Sequence, residues 1–229
     1  MTGIIYVDDT LFCGPNKAVV DAIKAQFMCK WECRDLGKPN EFLQMRITHK
    51  GRAIHLDQCM YLQKVVECCS MLNAKSTSTP LPAGYYATKN TEPVDVDLCS
   101  CFQMVIGSLL YLMLGTRPDI AFAVTHLSCH AANPSQDHLN KALYICRYLI
   151  GTSTFSLVYN GGSGAGLIAC TDSDWGSDPT SCLSQTGFYL KLADGLISWT
   201  SCVQKTIAYS STEAEYMALS DCACQVTWI

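Results

Sequence analysis

Residues 3–13 read GIIYVDDTLFC and place two adjacent carboxylates between two short apolar runs. The pattern predicts a β-hairpin with Asp8 and Asp9 at its tip. Because adjacent carboxylates repel each other, a turn tolerates them best when a divalent cation or water takes up their charge. An isolated Asp-Asp pair is more often a solvated turn, and the apolar runs on both sides are what favour a metal site here.

The composition favours a folded chain over a disordered or membrane-spanning one. Of its 229 residues, 49% are hydrophobic and 16% are charged, which excludes a disordered tail. The formal net charge of -4 argues against binding nucleic acid through bulk charge alone. We expect no signal peptide, because Asp8 follows the start too closely. We also expect no membrane span, because the apolar centre at 104–114 is shorter than the ~20 residues that a span needs.

The chain contains 15 cysteines, and their number and spacing exclude the usual cysteine-based scaffolds. The chain is too long for a disulfide-rich mini-domain, and it has no Cys-x-x-Cys pair of the kind found in zinc knuckles. The odd count leaves at least one thiol without an intrachain partner. We therefore interpret them as scattered, reduced cysteines of an intracellular protein.

Apolar periodicity predicts a mixture of helices and strands. Helices are predicted over residues 17–31, 58–72, 99–115, 117–132, 134–150 and 210–228, and strands over residues 41–48, 53–57, 155–159, 167–172, 187–192, 196–200 and 206–209. In the second helix, the residues expected to face the core are Leu62, Val65, Val66 and Cys69. Asn133 is the expected N-cap of the fifth helix, and Ser211 or Thr212 that of the sixth. Residues 73–97 carry three prolines and indicate a linker.

A second candidate site lies in the C-terminal third of the chain. Asp172 ends an apolar strand, and Glu213 and Glu215 lie at the start of the last helix. A strand-end aspartate that faces a helix glutamate is a workable half of a carboxylate metal site. The alternative is that the glutamates complement the helix dipole and that Asp172 belongs to an ordinary turn.

A pair of histidines offers a third, weaker possibility. His126 and His130 are four residues apart on one helical face, with Cys129 beside them. That spacing could ligate zinc, but the Glu-flanked motif of zinc hydrolases is missing. Ordinary histidines on a helix surface are the preferred interpretation.

Taken together, several short motifs resemble those of the copia-type LTR retrotransposon polyprotein family. Tyr6-Val7-Asp8-Asp9 resembles the active-site box of a reverse transcriptase. The other matching pieces, in order, are 35–37 (DLG), 79–81 (TPL), 106–112 (IGSLLYL), 116–120 (TRPDI), 147–149 (RYL) with 151–152 (GT), 171–175 (TDSDW) and 210–216 (SSTEAEY). The resemblance covers essentially the whole chain.

The resemblance implies an α+β fold in four parts. These are the end of a reverse transcriptase palm with a thumb-like segment at 1–75, a linker at 76–98, helices of the connection at 99–152, and the N-terminal half of a ribonuclease H-like domain at 153–229. The implied activities are RNA-directed DNA synthesis and cleavage of RNA·DNA hybrids. The implied location is the cytoplasm or nucleus, and the implied partners are RNA·DNA hybrid, other nucleic acid or other polyprotein segments.

The resemblance also assigns residues to the two sites. Asp8 and Asp9 would be palm metal ligands, and Asp172 would be the first ribonuclease H carboxylate. Glu215 fits the family helix better than Glu213 as the second carboxylate. Each site would use Mg²⁺, or Mn²⁺ in its place, in two-metal phosphodiester chemistry.

Departures from the family pattern lead us to expect little turnover from the chain alone. Each site has only part of the carboxylate set that such enzymes need to hold two ions. Gln44 stands where the family usually has glycine. Cysteines replace expected basic residues at positions 129, 182, 202 and 224. One hypothesis is that cytosine deamination converted arginine codons into cysteine codons.

Two other interpretations of the chain remain open at this point. One is a non-catalytic module that binds nucleic acid or another protein segment, which would need neither Asp172 nor Glu215. The other is a cysteine-rich metal binder, which would need the thiols.

Overall fold

The computed structural model describes residues 2–161, 166–179 and 181–229, and within them the fold is α+β, as expected. The strands are β1 (Thr2–Tyr6), β2 (Asp9–Cys13), β3 (Glu41–Phe42), β4 (Met45–Lys50), β5 (Ala53–Asp57), β6 (Leu157–Asn160), β7 (Leu167–Asp174), β8 (Gln185–Leu192) and β9 (Gly195–Val203). The helices are α1 (Lys17–Lys30), α2 (Cys59–Cys68), α3 (Val96–Gly115), α4 (Ala121–Ser128), α5 (Gln136–Gly151) and α6 (Ser211–Trp228).

The N-terminal strands form the predicted hairpin. β1 and β2 pair antiparallel as a two-stranded sheet, and every residue of β1 is exposed on the surface. α1 follows after Asn16, whose side chain accepts a hydrogen bond from the Ala18 N–H and so caps the helix. The rings of Phe12 and Phe27 meet edge to face, with centroids 5.4 Å apart, and hold α1 against the hairpin.

A second sheet has the strand order β3-β4-β5-β6. β4 and β5 pair as predicted around a two-residue loop, in which Gly51 supplies the positive φ that a tight hairpin needs. β6 comes from the segment that the sequence analysis assigned to the ribonuclease H-like domain. It pairs with β5, with Leu56 opposite Leu157. The third sheet therefore starts at Leu167 and does not include β6.

The turn between β3 and β4 is strained. Leu43 and Gln44 form its two-residue loop with φ of 51° and 55°. This left-handed region costs non-glycine residues free energy, because Cβ approaches the following carbonyl oxygen. Glycine, which the family pattern usually has at position 44, would remove that cost. The Tyr111 hydroxyl donates a hydrogen bond of 2.6 Å to the Leu43 carbonyl and ties the turn to α3.

The main hydrophobic core lies among α2, α3, α4 and α5. Three of the four core-facing residues predicted in α2 are buried, and Cys69 packs partly buried against the same core. α3 passes through the centre and buries Phe102, Val105, Ile106, Leu109 and Leu112. By length and composition alone this helix could cross a membrane. Its buried residues belong to the main core, whereas Met104 and Leu114 of the same helix are exposed.

Several predicted helix boundaries were wrong. α2 ends at Cys68 instead of residue 72, and α3 begins at Val96 instead of residue 99. The fifth helix is capped by Ser135 instead of Asn133, because Ser135 and His138 form a reciprocal capping box in which each side chain accepts from the other's N–H. The Asn133 side chain instead donates to the carbonyls of Asn90 and Glu92. The predicted helix at 117–132 is a 3-10 turn, Pro118–Ile120, followed by the shorter α4.

The segment at 76–98 contains no helix or strand before α3 begins at Val96, where the Asp95 side chain caps the helix. It nevertheless packs closely on the helical core. Ala87 is buried, and its N–H donates a 2.9 Å hydrogen bond to His126 Nε2. The Tyr85 hydroxyl donates to the Asp137 carboxylate on α5 at 2.9 Å.

The third sheet has the order β7-β8-β9, with all pairs antiparallel, and α6 packs on it. The predicted strand at 206–209 is wrong, because the chain leaves the sheet at Gln204. That buried side chain donates to Thr186 Oγ1 and to the Ala214 carbonyl and so turns the backbone toward α6. The N-cap of α6 is Ser210, one residue before the predicted alternatives.

A buried ion pair joins the ends of the core helices. The Arg117 side chain is 4% exposed, and its guanidinium donates to both Asp119 oxygens at 2.9 and 2.7 Å. It also donates to the Thr152 carbonyl at the end of α5. The rings of Tyr148 and Phe155 flank it, with centroids 5.7 and 5.5 Å from the guanidinium carbon.

We expect Gln44→Gly to raise the free energy of unfolding by about 0.5–1 kcal/mol, since glycine adopts the left-handed backbone without steric cost. Gln44→Ala is the matched control, because it shortens the side chain but keeps Cβ. Urea unfolding of both variants would test this. Equal stability of the two variants would contradict a backbone origin.

We expect Asp119→Asn to lower the free energy of unfolding by about 2 kcal/mol at pH 7, because it leaves Arg117 buried without its counter-ion. Burial tends to raise the pKa of Asp119, but Arg117 and the Tyr148 hydroxyl outweigh it and hold that pKa below its usual 3.8. The stabilisation by Asp119 is therefore complete above 3.8 and is lost as the pH falls through the lower, folded-state pKa.

Urea unfolding at several pH values measures this dependence. The difference between the wild type and Asp119→Asn should shrink as the pH falls below 3.8. Asp194→Asn, in the loop between β8 and β9, serves as the control, because it removes an aspartate outside this ion pair. A difference that stays constant down to acid pH would refute the ion-pair explanation.

Candidate active site

The carboxylates of Asp8 and Asp9 lie at the tip of the β1–β2 hairpin. Tyr6 and Asp9 are the last pair of the ladder, which leaves Val7 and Asp8 as a two-residue loop. Both aspartates are exposed. In the part of the chain that the structure describes, neither forms an ion pair with a basic side chain. Two neighbouring charges therefore face solvent, and carboxylate oxygens are suitable ligands for a hard cation.

The backbone at Val7 is strained. Its φ of 49° lies in the left-handed region, which a β-branched residue rarely adopts. Two-residue hairpin loops favour positive φ because it matches the twist of the strands, and glycine or asparagine normally provides it. The Val7 side chain is 82% exposed, so its packing does not explain the choice of residue. Backbone strain of this kind concentrates at functional sites.

Tyr111 on α3 contacts a second tyrosine and the strained β3–β4 turn. Burial raises the pKa of Tyr111, and the hydroxyls of Tyr61 and Tyr6 add to the effect. The Tyr61 and Tyr111 rings meet edge to face with centroids 4.8 Å apart. The Tyr111 hydroxyl also binds the Leu43 carbonyl, so the strained β3–β4 turn lies against α3.

The second candidate site is built on β7 and α6. Asp172 is exposed on β7, opposite Gly187 of β8. Glu213 has a structural role, because its carboxylate accepts a 2.7 Å hydrogen bond from the Tyr209 N–H while its own N–H donates to Ser210 Oγ. Glu215 is exposed on the next part of the helix. The structure therefore leaves Glu215, rather than Glu213, available to a ligand.

Two contacts fix how α6 runs across β7. Burial raises the pKa of the Cys222 thiol on α6, and the Cys170 thiol on β7 adds to it, so these two side chains lie near each other. At the other end, Trp175 Nε1 donates a 3.0 Å hydrogen bond to the Ala208 carbonyl, just before α6 begins. α6 therefore runs antiparallel to β7.

Asp172 and Glu215 fall between these two contacts. Gln204 binds both Thr186 and the Ala214 carbonyl of α6, so Thr186 of β8 lies on the face that α6 covers. Thr186 is paired with Ser173, and successive side chains of a strand point to opposite faces, so the neighbouring Asp172 lies on the other face. Glu215 follows Ala214, the first residue of the stripe that α6 buries. The two carboxylates therefore lie at a similar level along β7 and α6, but Asp172 is on the face of the sheet that α6 does not cover.

The structure does not combine the candidate residues into one centre. Asp8 and Asp9 lie on the first sheet, and Asp172 lies on the third. Across residues 2–161, 166–179 and 181–229, no group of three or more His, Cys, Asp or Glu side chains is arranged to hold a metal ion.

The histidines have structural contacts. His126 Nε2 accepts from the Ala87 N–H, and the His130 ring stacks on that of His138 with centroids 4.3 Å apart. Burial lowers the pKa of all three rings. From the sequence, His138 was expected in the first turns of a helix with no special role, but it is buried and completes the cap of α5. The sequence signal for this role was the capping-box spacing, because His138 lies three residues after Ser135.

Comparison with known proteins identifies the family. Residues 2–83 match the family model described as reverse transcriptase (RNA-dependent DNA polymerase). The retrovirus-related Pol polyprotein from transposon TNT 1-94 of Nicotiana tabacum is 36% identical over 99% of this chain, which spans 18% of that polyprotein. The retrovirus-related Pol polyprotein from transposon RE1 of Arabidopsis thaliana is 31% identical over 99% of this chain and 15% of its own length.

A third relative is comparable in length to this chain. The uncharacterized mitochondrial protein AtMg00810 of Arabidopsis thaliana is 32% identical over 98% of this chain and 92% of its own length. No solved structure matches the chain. The family match includes the Asp8-Asp9 hairpin, and the similarity to the Pol polyproteins extends through α6. The chain therefore belongs to the copia-type retrotransposon polyproteins and includes a reverse transcriptase segment.

Proposed function

We propose that the chain supplies parts of two nucleic-acid-processing sites. Asp8 and Asp9 serve RNA-directed DNA synthesis, and Asp172 and Glu215 serve cleavage of the RNA strand in an RNA·DNA hybrid. The observation that carries the polymerase assignment is the exposed Asp-Asp pair on a strained two-residue loop, inside the segment that matches the reverse transcriptase family.

The ribonuclease H assignment is supported by the arrangement of the third sheet. Three antiparallel strands are followed by a helix that packs on them. Asp172 lies on the first of these strands, and Glu215 lies near the start of the helix. This order agrees with the roles that the family resemblance implies for both residues.

The donor atoms at both places fit Mg²⁺. This ion binds carboxylate oxygens, keeps several waters, and commonly uses one or two carboxylates together with phosphate oxygens of a substrate. Each candidate pair provides two such carboxylates, and the described residues provide no third ligand. Bound Mg²⁺ would activate an attacking oxygen and stabilise the leaving one. We expect ion binding to be weak until nucleic-acid phosphates complete the ligand set.

A groove beside the second sheet supports contact with a phosphate backbone. It has a volume of about 700 Å³ and lies between the β4–β5 strands and α2, with Arg46 and Lys50 on one wall. Arg46 is paired with Asp57 at 3.0 Å. Lys50 is exposed and has no ion pair within the described residues. A local basic side chain can bind phosphate even though the net charge of the whole chain is negative.

The ribonuclease H-type site can be tested by metal binding in the presence of an RNA·DNA hybrid. We expect Asp172→Asn and Glu215→Gln each to weaken Mn²⁺ binding about tenfold, because each removes a charged oxygen ligand. Electron paramagnetic resonance of free Mn²⁺ measures this during a titration. Asp194→Asn removes the same charge from the loop between β8 and β9, at the other end of the sheet, and should leave the affinity unchanged. Equal losses in all three variants would show a general charge effect instead of a site.

We expect no cleavage of an end-labelled RNA·DNA hybrid by the chain alone in Mg²⁺ or Mn²⁺, because two carboxylates hold too few ions for two-metal chemistry. Gel analysis of the labelled strand checks this, with Asp172→Asn alongside. Cleavage that is lost in Asp172→Asn but kept in Asp194→Asn would overturn the expectation of inactivity. Hybrid binding that is independent of metal and of Asp172 would instead favour a non-catalytic binding module.

A further inference from the structure

Three histidine side chains meet between α4, α5 and the coil that precedes α3. The rings of His130 and His138 stack with centroids 4.3 Å apart, and those of His126 and His130 meet edge to face at 6.5 Å. The ring of Phe122 also stacks on His126, with centroids 5.5 Å apart. His138 is buried, and the other two histidines are partly buried. Three groups that can each gain a positive charge are therefore held side by side.

Two of these rings accept hydrogen bonds through an unprotonated nitrogen. His126 Nε2 accepts from the Ala87 N–H at 2.9 Å, and His138 Nδ1 accepts from the Ser135 N–H at 3.0 Å. A ring nitrogen that accepts a hydrogen bond carries no proton, so each bond requires the neutral imidazole. Protonation turns the acceptor into a second donor, which then faces the backbone N–H. Each bond is therefore lost when its ring takes up a proton.

The bond to the Ala87 N–H holds the middle of a short coil whose two ends are attached in other ways. At one end, the Tyr85 hydroxyl donates to a carboxylate of α5 at 2.9 Å. At the other end, the Asn90 side chain donates to the Pro134 carbonyl at 3.0 Å. Neither attachment involves a histidine. Residues 86–89 therefore form a flap that is fixed at both ends and held in its middle by a bond to a neutral imidazole.

The flap forms one wall of a cavity of about 280 Å³ between the helical core and the third sheet. Tyr86 and Lys89 line this cavity from the flap, and Gln185 lines it from the third sheet. His126 and His130 line it from the side of α4. Because the flap is one of its walls, outward movement of the flap would widen the cavity and expose the ring of His126.

The groups around the cluster act on its protonation in both directions. Burial lowers the pKa of all three rings below the usual 6.5, and His130 adds to this at His126 and His138. Asp178 opposes the shift at His126 and His130 but does not reverse it. From α3, the uncharged ring of Phe102 faces His138. The other titratable or charged groups nearby are Tyr85, Tyr86 and Lys89 in the coil, Cys129 at the end of α4, and Asp137 and Lys141 on α5.

We propose that mild acid opens the flap at 86–89. Protonation of His126 breaks the bond to the Ala87 N–H, and the new charge repels any charge on the neighbouring His130. The attachments at both ends of the flap remain, so the flap moves outward while the core helices stay packed. Such an opening is local and requires less free energy than unfolding of the whole chain.

The direction of the pH dependence follows from the lowered pKa of His126. In the opened flap the ring is exposed and titrates near the usual 6.5, whereas in the closed flap burial keeps its pKa lower. The closed form therefore has its full stability above pH 6.5. That stability is lost as the pH falls below 6.5 through the lower pKa of the closed form.

Hydrogen–deuterium exchange of the full chain measures the opening at the Ala87 amide. Between pH 7.5 and pH 5.5, after correction for the intrinsic exchange rate, we expect the protection of this amide to fall about five- to tenfold, because one proton is taken up on opening. The Leu109 amide in α3 should remain more strongly protected at both pH values. Equal protection of the two amides would mean that the chain unfolds as a whole, which would overturn the proposal.

A variant separates the His126 proton from other effects of acid. His126→Gln places a non-titrating acceptor near the position of Nε2, so the Ala87 amide should stay protected at pH 5.5. His55→Gln is the matched control, because it removes a histidine beside Ser156, outside the cluster, and should keep the wild-type trend. The same pH dependence in His126→Gln as in the wild type would refute the assignment.

A second measurement needs no substitution. Nitrogen-15 NMR of the wild-type imidazoles follows the protonation of His126 Nε2 directly, and the amide proton of Ala87 reports the loss of its acceptor. Both signals should change with the same midpoint, which should lie below pH 6.5. An Ala87 signal that stays constant while His126 titrates would contradict the proposed opening.

Discussion

The guanidinium group of Arg117 is buried, and the fold around it is arranged so that its charge is compensated. Asp119 supplies the opposite charge, and the Thr152 carbonyl supplies a further acceptor. Arg117 follows the end of α3 and Thr152 follows the end of α5, so this requirement fixes two core helices against each other. β6 begins shortly after Thr152 and is thereby placed beside β5, which attaches the second sheet to the helical core.

The carboxylates of the chain divide into two groups by their partners. Asp57 and Asp119 pair with arginines, and Glu213 accepts from a backbone N–H, so their charges stabilise the fold. Asp8 and Asp9 face solvent without a basic partner in the described chain. Because the charges of Asp8 and Asp9 are not used in ion pairs that stabilise the fold, these side chains are free to bind a ligand. This agrees with the metal-binding role that the family resemblance implies for both residues.

Local patterns in the sequence were sufficient for the elements near the N-terminus, because a hairpin, an amphipathic helix and a two-residue turn are determined over short distances. The Asp8-Asp9 pair belongs to this group. The placement of β6 depends on pairing between residues about a hundred positions apart, which periodicity does not encode. The position of Glu215 relative to Asp172 depends likewise on how α6 packs on the third sheet. The strain at Val7 was not predictable, since its side chain favours an ordinary strand.

The hairpin that carries Asp8 and Asp9 is a sheet of only two strands, and its first strand is exposed along its whole length. Sheets of this size are marginal in water without further packing. Its amide hydrogens will therefore exchange with solvent well before those of α3, through opening events that leave the core intact. The two aspartates are thus carried by a hairpin whose stability depends on what packs against its exposed strand.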